Sequence, residues 1–257
     1  MISTIGHFFI ITTSGIREFF TLLKETLLAL VCPPFRWKET IQQLYFVANG
    51  SLFIVTFCVA FAAIVTILES SFHMKMIIHN DSMVPGFASM LILRELGAVV
   101  SSLLLTSRVG AGFAAEVGSM AVTEQIDAIR MLGIDPIKYI VVPRLVACTI
   151  GAAMLTILAN IVCLYCAALV CEASLGFTLV LFKTAMTRFV GFQDLIFASI
   201  KGAVFGAVIP MISCFYGLRC KAGAEGVGIA TTQSVVASSV AIIFLDFILT
   251  FIFSNFY

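Results

Sequence analysis

"AEVGSMAVTEQIDAIRMLGIDP" (residues 115–136) interrupts a chain that otherwise reads as lipid-facing helix. Glu116, Glu124, Asp127, Arg130 and Asp135 all fall inside it. Val122, Ile126, Ile129 and Leu132 step by four, three and three, which puts them on one face of a helix. Thr123, Asp127 and Arg130 share another face. Gly133 suits the end of that helix, and Asp135-Pro136 suits a restart, with Asp as N-cap and Pro in the first turn. Such a helix either docks in a groove of a partner or lies on the bilayer surface without one. The pattern leaves both open, and likewise whether Val122, Ile126 and Ile129 fill a partner's groove or pack on the chain's own spans.

Around this stretch the chain is a membrane protein. Of its 257 residues, 61% are hydrophobic and 11% charged, against roughly half and a quarter in soluble domains. Five runs reach the roughly 20 apolar residues that a spanning helix needs: about 46–68, 84–107, 143–170, 195–217 and 232–253. The expectation is one all-α membrane domain, residues 1–257, with short loops. With the N-terminus inside, the inner loops carry Arg17, Lys24, Arg36, Lys38, Arg108, Arg130, Lys138, Arg144, Arg219 and Lys221. The outer loops then carry only Lys75, Lys183 and Arg188. The positive-inside rule therefore predicts a cytoplasmic N-terminus and an outer C-terminus.

Residues 1–31 place Ile5, Phe8, Phe9, Ile16, Phe19, Phe20, Leu23, Leu27 and Leu30 at three- and four-residue steps, with Arg17, Lys24 and Glu25 mainly between. That predicts an amphipathic helix in the cytoplasmic interface, broken by Pro33-Pro34. No basic residue precedes Arg17, so a normal signal peptide is not expected. Residues 171–194 predict a short helix on the outer side. Cys163-x-x-Cys166 has a redox or metal spacing, but it sits mid-run in an apolar stretch and reads as small packing residues. His7, His73 and His79 are scattered, so no metal site is expected.

The central stretch resembles the MlaE/YrbE family, the permeases of ABC lipid transporters that work with MCE-domain proteins. The similarity is carried by Arg94-Glu95-Leu96-Gly97-Ala98-Val99, by Thr106-Ser107-Arg108-Val109-Gly110, by Ala115 to Ala128 (AEVGSMAVTEQIDA), and by Asp135-Pro136 through Pro143-Arg144. It returns at DLIFASIKGAVFG (194–206) and at GVGIATTQSVVASSVAIIFLDFILT (226–250). Two departures stand out. Ala98 occupies a position where the family usually has Pro, and the first span carries Ala62, Ala63 and Glu69 where relatives are often glycine-rich; fewer glycines mean less close packing.

The resemblance implies a homodimer in a bacterial inner membrane, two cytoplasmic ABC ATPases, a periplasmic MCE protein and a phospholipid substrate moved between inner and outer membranes, with no role for nucleic acid. It implies no catalysis or cofactor in this chain, ATP and Mg being bound by the partner ATPase. The sequence agrees in lacking G-x-x-x-x-G-K-[ST]. By similarity, residues 120–133 form the coupling helix, with Glu116, Thr123, Glu124, Asp127, Arg130, Gly133, Asp135 and Pro136 as its working residues. Arg94, Glu95, Glu69 and Lys201 are candidates for a lipid cavity. Ionisable residues inside spans are costly and face an interior, a cavity or each other, so Arg94 and Glu95 read either as a structural pair or as cavity lining. Lys201 lies close enough to a span end to snorkel. Asp246 has no evident partner. The glycine-rich segment 217–228 reads as a second ATPase contact or a solvated loop. A gradient-driven secondary transporter and a membrane scaffold are the alternative functions.

Overall fold

The computed structural model describes residues 2–31, 36–77, 83–220 and 223–255. The expected break at Pro33-Pro34, together with His79 and Lys221, lies outside the described residues. The chain folds as helices α1 (Ile2–Val31), α2 (Trp37–Ile77), α3 (Val84–Leu91), α4 (Gly97–Leu105), α5 (Ala111–Val122), α6 (Gln125–Met131), α7 (Val142–Leu175), α8 (Leu179–Phe189), α9 (Phe192–Leu218) and α10 (Gly223–Ser254). Wider π turns at Ile92–Leu96 and Thr106–Gly110 join α3, α4 and α5 into one rod. A third, Ile137–Val141, leads into α7.

Among the described residues five helical rods are long and apolar enough to cross a membrane: Trp37–Met74, Val84–Val122, Ile137–Ser174, Phe192–Leu218 and Gly223–Ser254. This is an all-α, multi-pass membrane protein. The second rod corrects a sequence expectation. Residues 108–122 are not loop but helix continuous with the span: no Pro interrupts them, and full burial of Phe113, Ala114 and Val117 offsets the helix-weakening Gly110, Gly112 and Gly118.

Small residues at four-residue steps hold the bundle. On α2, Val47, Ser51, Val55, Val59, Ala63 and Ile67 are all buried. On α7, Cys148, Ala152, Ala159, Cys163, Ala167 and Cys171 are buried likewise. Such rows interdigitate as ridges and grooves. The Cys163 thiol donates to the Val59 carbonyl at 3.3 Å across that seam. Gly202 and Gly206 bring α9 against α7: a Cβ at Gly202 would collide with Thr156, and one at Gly206 with Ala152 and the Cys148 carbonyl. This is the small-xxx-small close approach used inside membranes.

The cores run in sequence along the bundle. Val84, Ala88, Ile92 and Phe182 pack with α2 and α7 at one end. Phe113, Phe205, Ile209 and Ile242 fill the middle. Leu22, Val117, Ile126, Ile140 and Met211 close the other end. α1 therefore joins the bundle through Leu22, with Phe19, Leu23 and Leu30 beside it, while Ile16, Phe20, Leu27 and Leu28 stay exposed.

Candidate transport and coupling sites

Two polar constructions stand out from the apolar bundle. The first is a charge cluster built from the π turn after α3 and from α9 and α10. A π turn inserts one extra residue per turn and is frequent at functional sites; this one carries Arg94 and Glu95. The two neighbours do not pair with each other. Arg94 Nε donates to Asp194 Oδ1 at 2.7 Å, and Asp194 is almost wholly buried. Asp194 opens α9, where its Oδ2 accepts the Gly191 N–H at 2.8 Å. Arg94 also lies 5.8 Å from the Phe253 ring, which stacks on Phe197 at 3.8 Å.

Lys201 is the hub. Its Nζ donates to Glu95 Oε1 and Oε2 at 3.1 and 3.0 Å, to Thr250 Oγ1 at 2.8 Å and to the Arg94 carbonyl at 3.1 Å. It also lies 2.6 Å from Asp246 Oδ1, an ion-pair contact without hydrogen-bond alignment. Lys201 is completely buried, so the expected snorkelling does not occur; a carboxylate on each side holds the ammonium inside the bundle. Glu95, 39% exposed, is the most open of the cluster, ahead of Arg94 at 26% and Asp246 at 19%.

Three carboxylates (Glu95, Asp194, Asp246) thus meet two cations (Arg94, Lys201). The arrangement offers a half-buried carboxylate, Glu95, on a buried base of paired charges. Sequence reasoning gave Asp194 no role and Asp246 no partner. Asp194 at the third position of a helix preceded by Gly191 was the available signal, as an acidic capping residue. Its pairing across 100 residues was not legible.

Glu69 stands apart from this cluster. It lies 3.6 Å from His73 on α2, both well exposed, beside a groove of about 510 Å³ lined by Val65, Thr66, Met74, Phe87 and Leu91.

The second construction is the projecting turn between α5 and α7. The expected helix over 120–133 is split: Met120–Val122 end α5, and α6 begins at Gln125. Between them Thr123 caps back onto the Ser119 carbonyl through its N–H (3.0 Å) and hydroxyl (2.8 Å). Glu124 adopts φ 58°, ψ 14°, a left-handed conformation that costs a non-glycine residue about 1–2 kcal/mol. The C-terminal end of α6 is a Schellman motif. Gly133 at φ 75° donates to the Arg130 carbonyl (2.9 Å), and Ile134 to the Ile129 carbonyl (3.2 Å). Asp135 Oδ1 then accepts the Ile137 N–H at 2.9 Å, and Pro136 enters the next helix.

This geometry divides the apolar face. Ile126 is buried in the chain's own core. Met131, Leu132 and Ile134 are 89%, 76% and 42% exposed, so the free apolar surface is the tip beyond α6. Asp127 and Arg130 pair at 3.1 Å on the exposed side. Glu116 lies a helix away. It pairs at 2.8 Å with the buried Arg144, which also donates to the Ile140 carbonyl, so Glu116 ties α5 to the start of α7 rather than standing on the tip.

Residues 40–252 match the family model Permease MlaE. A probable ABC transporter permease protein of Rickettsia prowazekii is 35% identical over 93% of this chain and 91% of its own length. A probable ABC transporter permease protein of Synechocystis is 33% identical over 84% of this chain and 81% of its own. The protein TRIGALACTOSYLDIACYLGLYCEROL 1, chloroplastic, of Arabidopsis thaliana is 33% identical over 89% of this chain, which spans 65% of that protein's length.

Proposed function

We propose a function from one premise: the chain belongs to the MlaE permease family. It is the permease subunit of a lipid transporter. In finer terms, it is the membrane half of an ABC system that moves a phospholipid or similar amphiphile between the inner and outer membranes of a bacterium. The name of the Arabidopsis relative, which contains a glycolipid, supports an amphiphile as cargo. A cytoplasmic ATPase, bound with ATP and Mg, supplies the energy, and a periplasmic MCE-domain protein receives or delivers the lipid. α1 lies in the cytoplasmic interface, and the C-terminus is periplasmic.

The observation that carries this reading is the joint presence of an exposed apolar tip and an internal charge cluster in one five-span bundle. Met131, Leu132 and Ile134, framed by Thr123, Glu124, Asp127 and Arg130, form a rigid projection shaped to enter a groove. Gly133, Asp135 and Pro136 fix its direction, and the Glu116–Arg144 pair passes its movement to α7. Glu95 and Arg94 then face the headgroup, with the buried Lys201 holding Glu95 in place behind them. α10 is the least enclosed span: of its 32 residues only Ala230, Ser234, Ser238 and Ile242 are buried. Its exposed Val240, Phe244, Phe247 and Phe251 support a second copy of this chain across a shared cavity. The excess carboxylate of the cluster favours one other reading, a proton- or ion-driven transporter without an ATPase.

Co-purification of the tagged chain from its native membrane distinguishes them. Wild type is expected to bring down an ABC ATPase and an MCE-domain protein, and a folded Glu124→Lys/Asp127→Lys variant to lose the ATPase alone. A folded wild-type chain that recovers no ATPase would favour the gradient-driven reading.

A further inference from the structure

Two grooves meet at the C-terminal end of α9. One encloses about 410 Å³ between α1, α9 and α10, against Phe19, Phe20, Ile212, Phe215 and Ala237. The other encloses about 430 Å³ between α9 and α10, past Ile229, Ala230 and Gln233. Tyr216 and Arg219 wall both. Each volume falls in the range of roughly 300–1,000 Å³ typical of ligand sites, and each suits one flexible hydrocarbon chain.

The cation at the junction is built in but not used up. Arg219 lies with its guanidinium 5.1 Å from the Phe215 ring. A Cβ at Gly15 would come within 3.2 Å of Arg219 Nη1, so α1 is thinned where it passes the guanidinium. Arg219 meets Glu18 only at 3.4 Å, and the two side chains are 44% and 56% exposed; a pair so open to solvent is weak. A guanidinium offers N–H donors in the planar geometry that phosphate accepts. Two apolar channels that diverge from one such cation match a phosphate headgroup with two acyl chains. The first groove, walled by Phe19, Phe20, Ile212 and Phe215, could not satisfy the backbone polar groups of a peptide; the second adds Gln233 and Cys220 beside Arg219.

We propose that the junction of α1, α9 and α10 holds one anionic phospholipid of the adjacent leaflet, its phosphate on Arg219 and one acyl chain in each groove. This resident lipid is separate from the transported one, and the inference rests on the reading that this end of the spans lies at the membrane boundary. A lipid seated there would tie α1 to α9 and α10, next to the end of the bundle where Ile126 anchors the projecting tip.

The test is native mass spectrometry of the full chain in detergent, titrated with phosphatidylglycerol or phosphatidylcholine. Wild type is expected to retain one phosphatidylglycerol per chain in preference to phosphatidylcholine. Arg219→Gln should weaken that binding about tenfold, the scale of a lost charged hydrogen bond, and Arg219→Lys should weaken it less. Ala237→Trp leaves the cation but fills the first groove, and should also lose the lipid. Glu95→Gln should leave this lipid in place, whereas a cargo lipid at Glu95 would respond to Glu95→Gln and not to Arg219→Gln. Circular-dichroism melting establishes that each variant is folded. Wild-type phosphatidylglycerol binding by folded Arg219→Gln and Ala237→Trp would overturn the proposal. So would loss of dimer mass in place of lipid mass, which would give the grooves to a second copy of the chain. The lipid count needs neither ATPase nor transport, so it can fail while the permease reading stands.

Discussion

Replacing Lys201 by Met removes the ammonium but keeps an unbranched side chain of similar length. Two carboxylates then lose their partner: Glu95 at 3.0 Å and Asp246 at 2.6 Å. At an effective dielectric of about 20, each contact is worth roughly 6 kcal/mol of Coulomb attraction, most of it offset by the desolvation of a wholly buried ion. The net cost of removing one partner from a buried pair is about 3–5 kcal/mol, a large share of the ~5–15 kcal/mol that holds a typical domain together. The two carboxylates do not suffer equally. Glu95 is 39% exposed and can turn outward, while Asp246 is 19% exposed and cannot turn as far. Lys201→Met/Asp246→Asn should therefore recover more stability than Lys201→Met/Glu95→Gln. Unfolding of the purified chain by added SDS in mixed micelles, followed by circular dichroism, measures all three. A Lys201→Met loss below about 1 kcal/mol, or the opposite order of rescue, would refute the hub.

Other substitutions probe the turn and the seams. Glu124→Gly should stabilise the chain by about 0.5 kcal/mol, since relief of the left-handed strain outweighs the added freedom of the unfolded chain; Glu124→Val should cost about 1–2 kcal/mol, both read in the same SDS titration. Leu132→Asp changes a 76% exposed residue and should leave stability within about 0.5 kcal/mol while abolishing ATPase recovery in the co-purification. Asp135→Ala removes the cap on Ile137 and should cost about 1 kcal/mol, seen as faster hydrogen exchange at the Ile137 amide. Gly202→Val forces a branched side chain onto Thr156 and should cost at least 1–3 kcal/mol, with lower yield of folded protein from membranes.

The sequence carried the fold class because membrane spans are written locally: about 20 apolar residues in a row need no knowledge of their neighbours. The same locality made Gly133 and Asp135 legible, since each acts on backbone within a few residues of itself. What failed to show was long-range or one-sided. Arg94 with Asp194 and Lys201 with Asp246 are pairs made by packing, and spacing in the chain says nothing of them. Lys201 reads as a snorkelling residue from its nearness to a span end, and only the two carboxylates beside it explain why it stays inside. Periodicity put Ile126 and Leu132 on one helical face. It could not foresee that Glu124 would turn left-handed, start a new helix at Gln125, and leave Ile126 buried and Leu132 free.

The central claim is that this chain moves lipid through the Glu95–Lys201 cluster on energy from a partner ATPase. The most direct measurement is transfer of a fluorescent phospholipid between proteoliposomes that hold the co-purified complex and acceptor vesicles, with ATP or a non-hydrolysable analogue, for wild type and Glu95→Leu. Transfer that requires ATP hydrolysis and falls at least tenfold in Glu95→Leu, with the ATPase still bound, is the predicted result. Transfer that proceeds with the analogue, follows an imposed pH gradient, or is unchanged in Glu95→Leu would contradict the account.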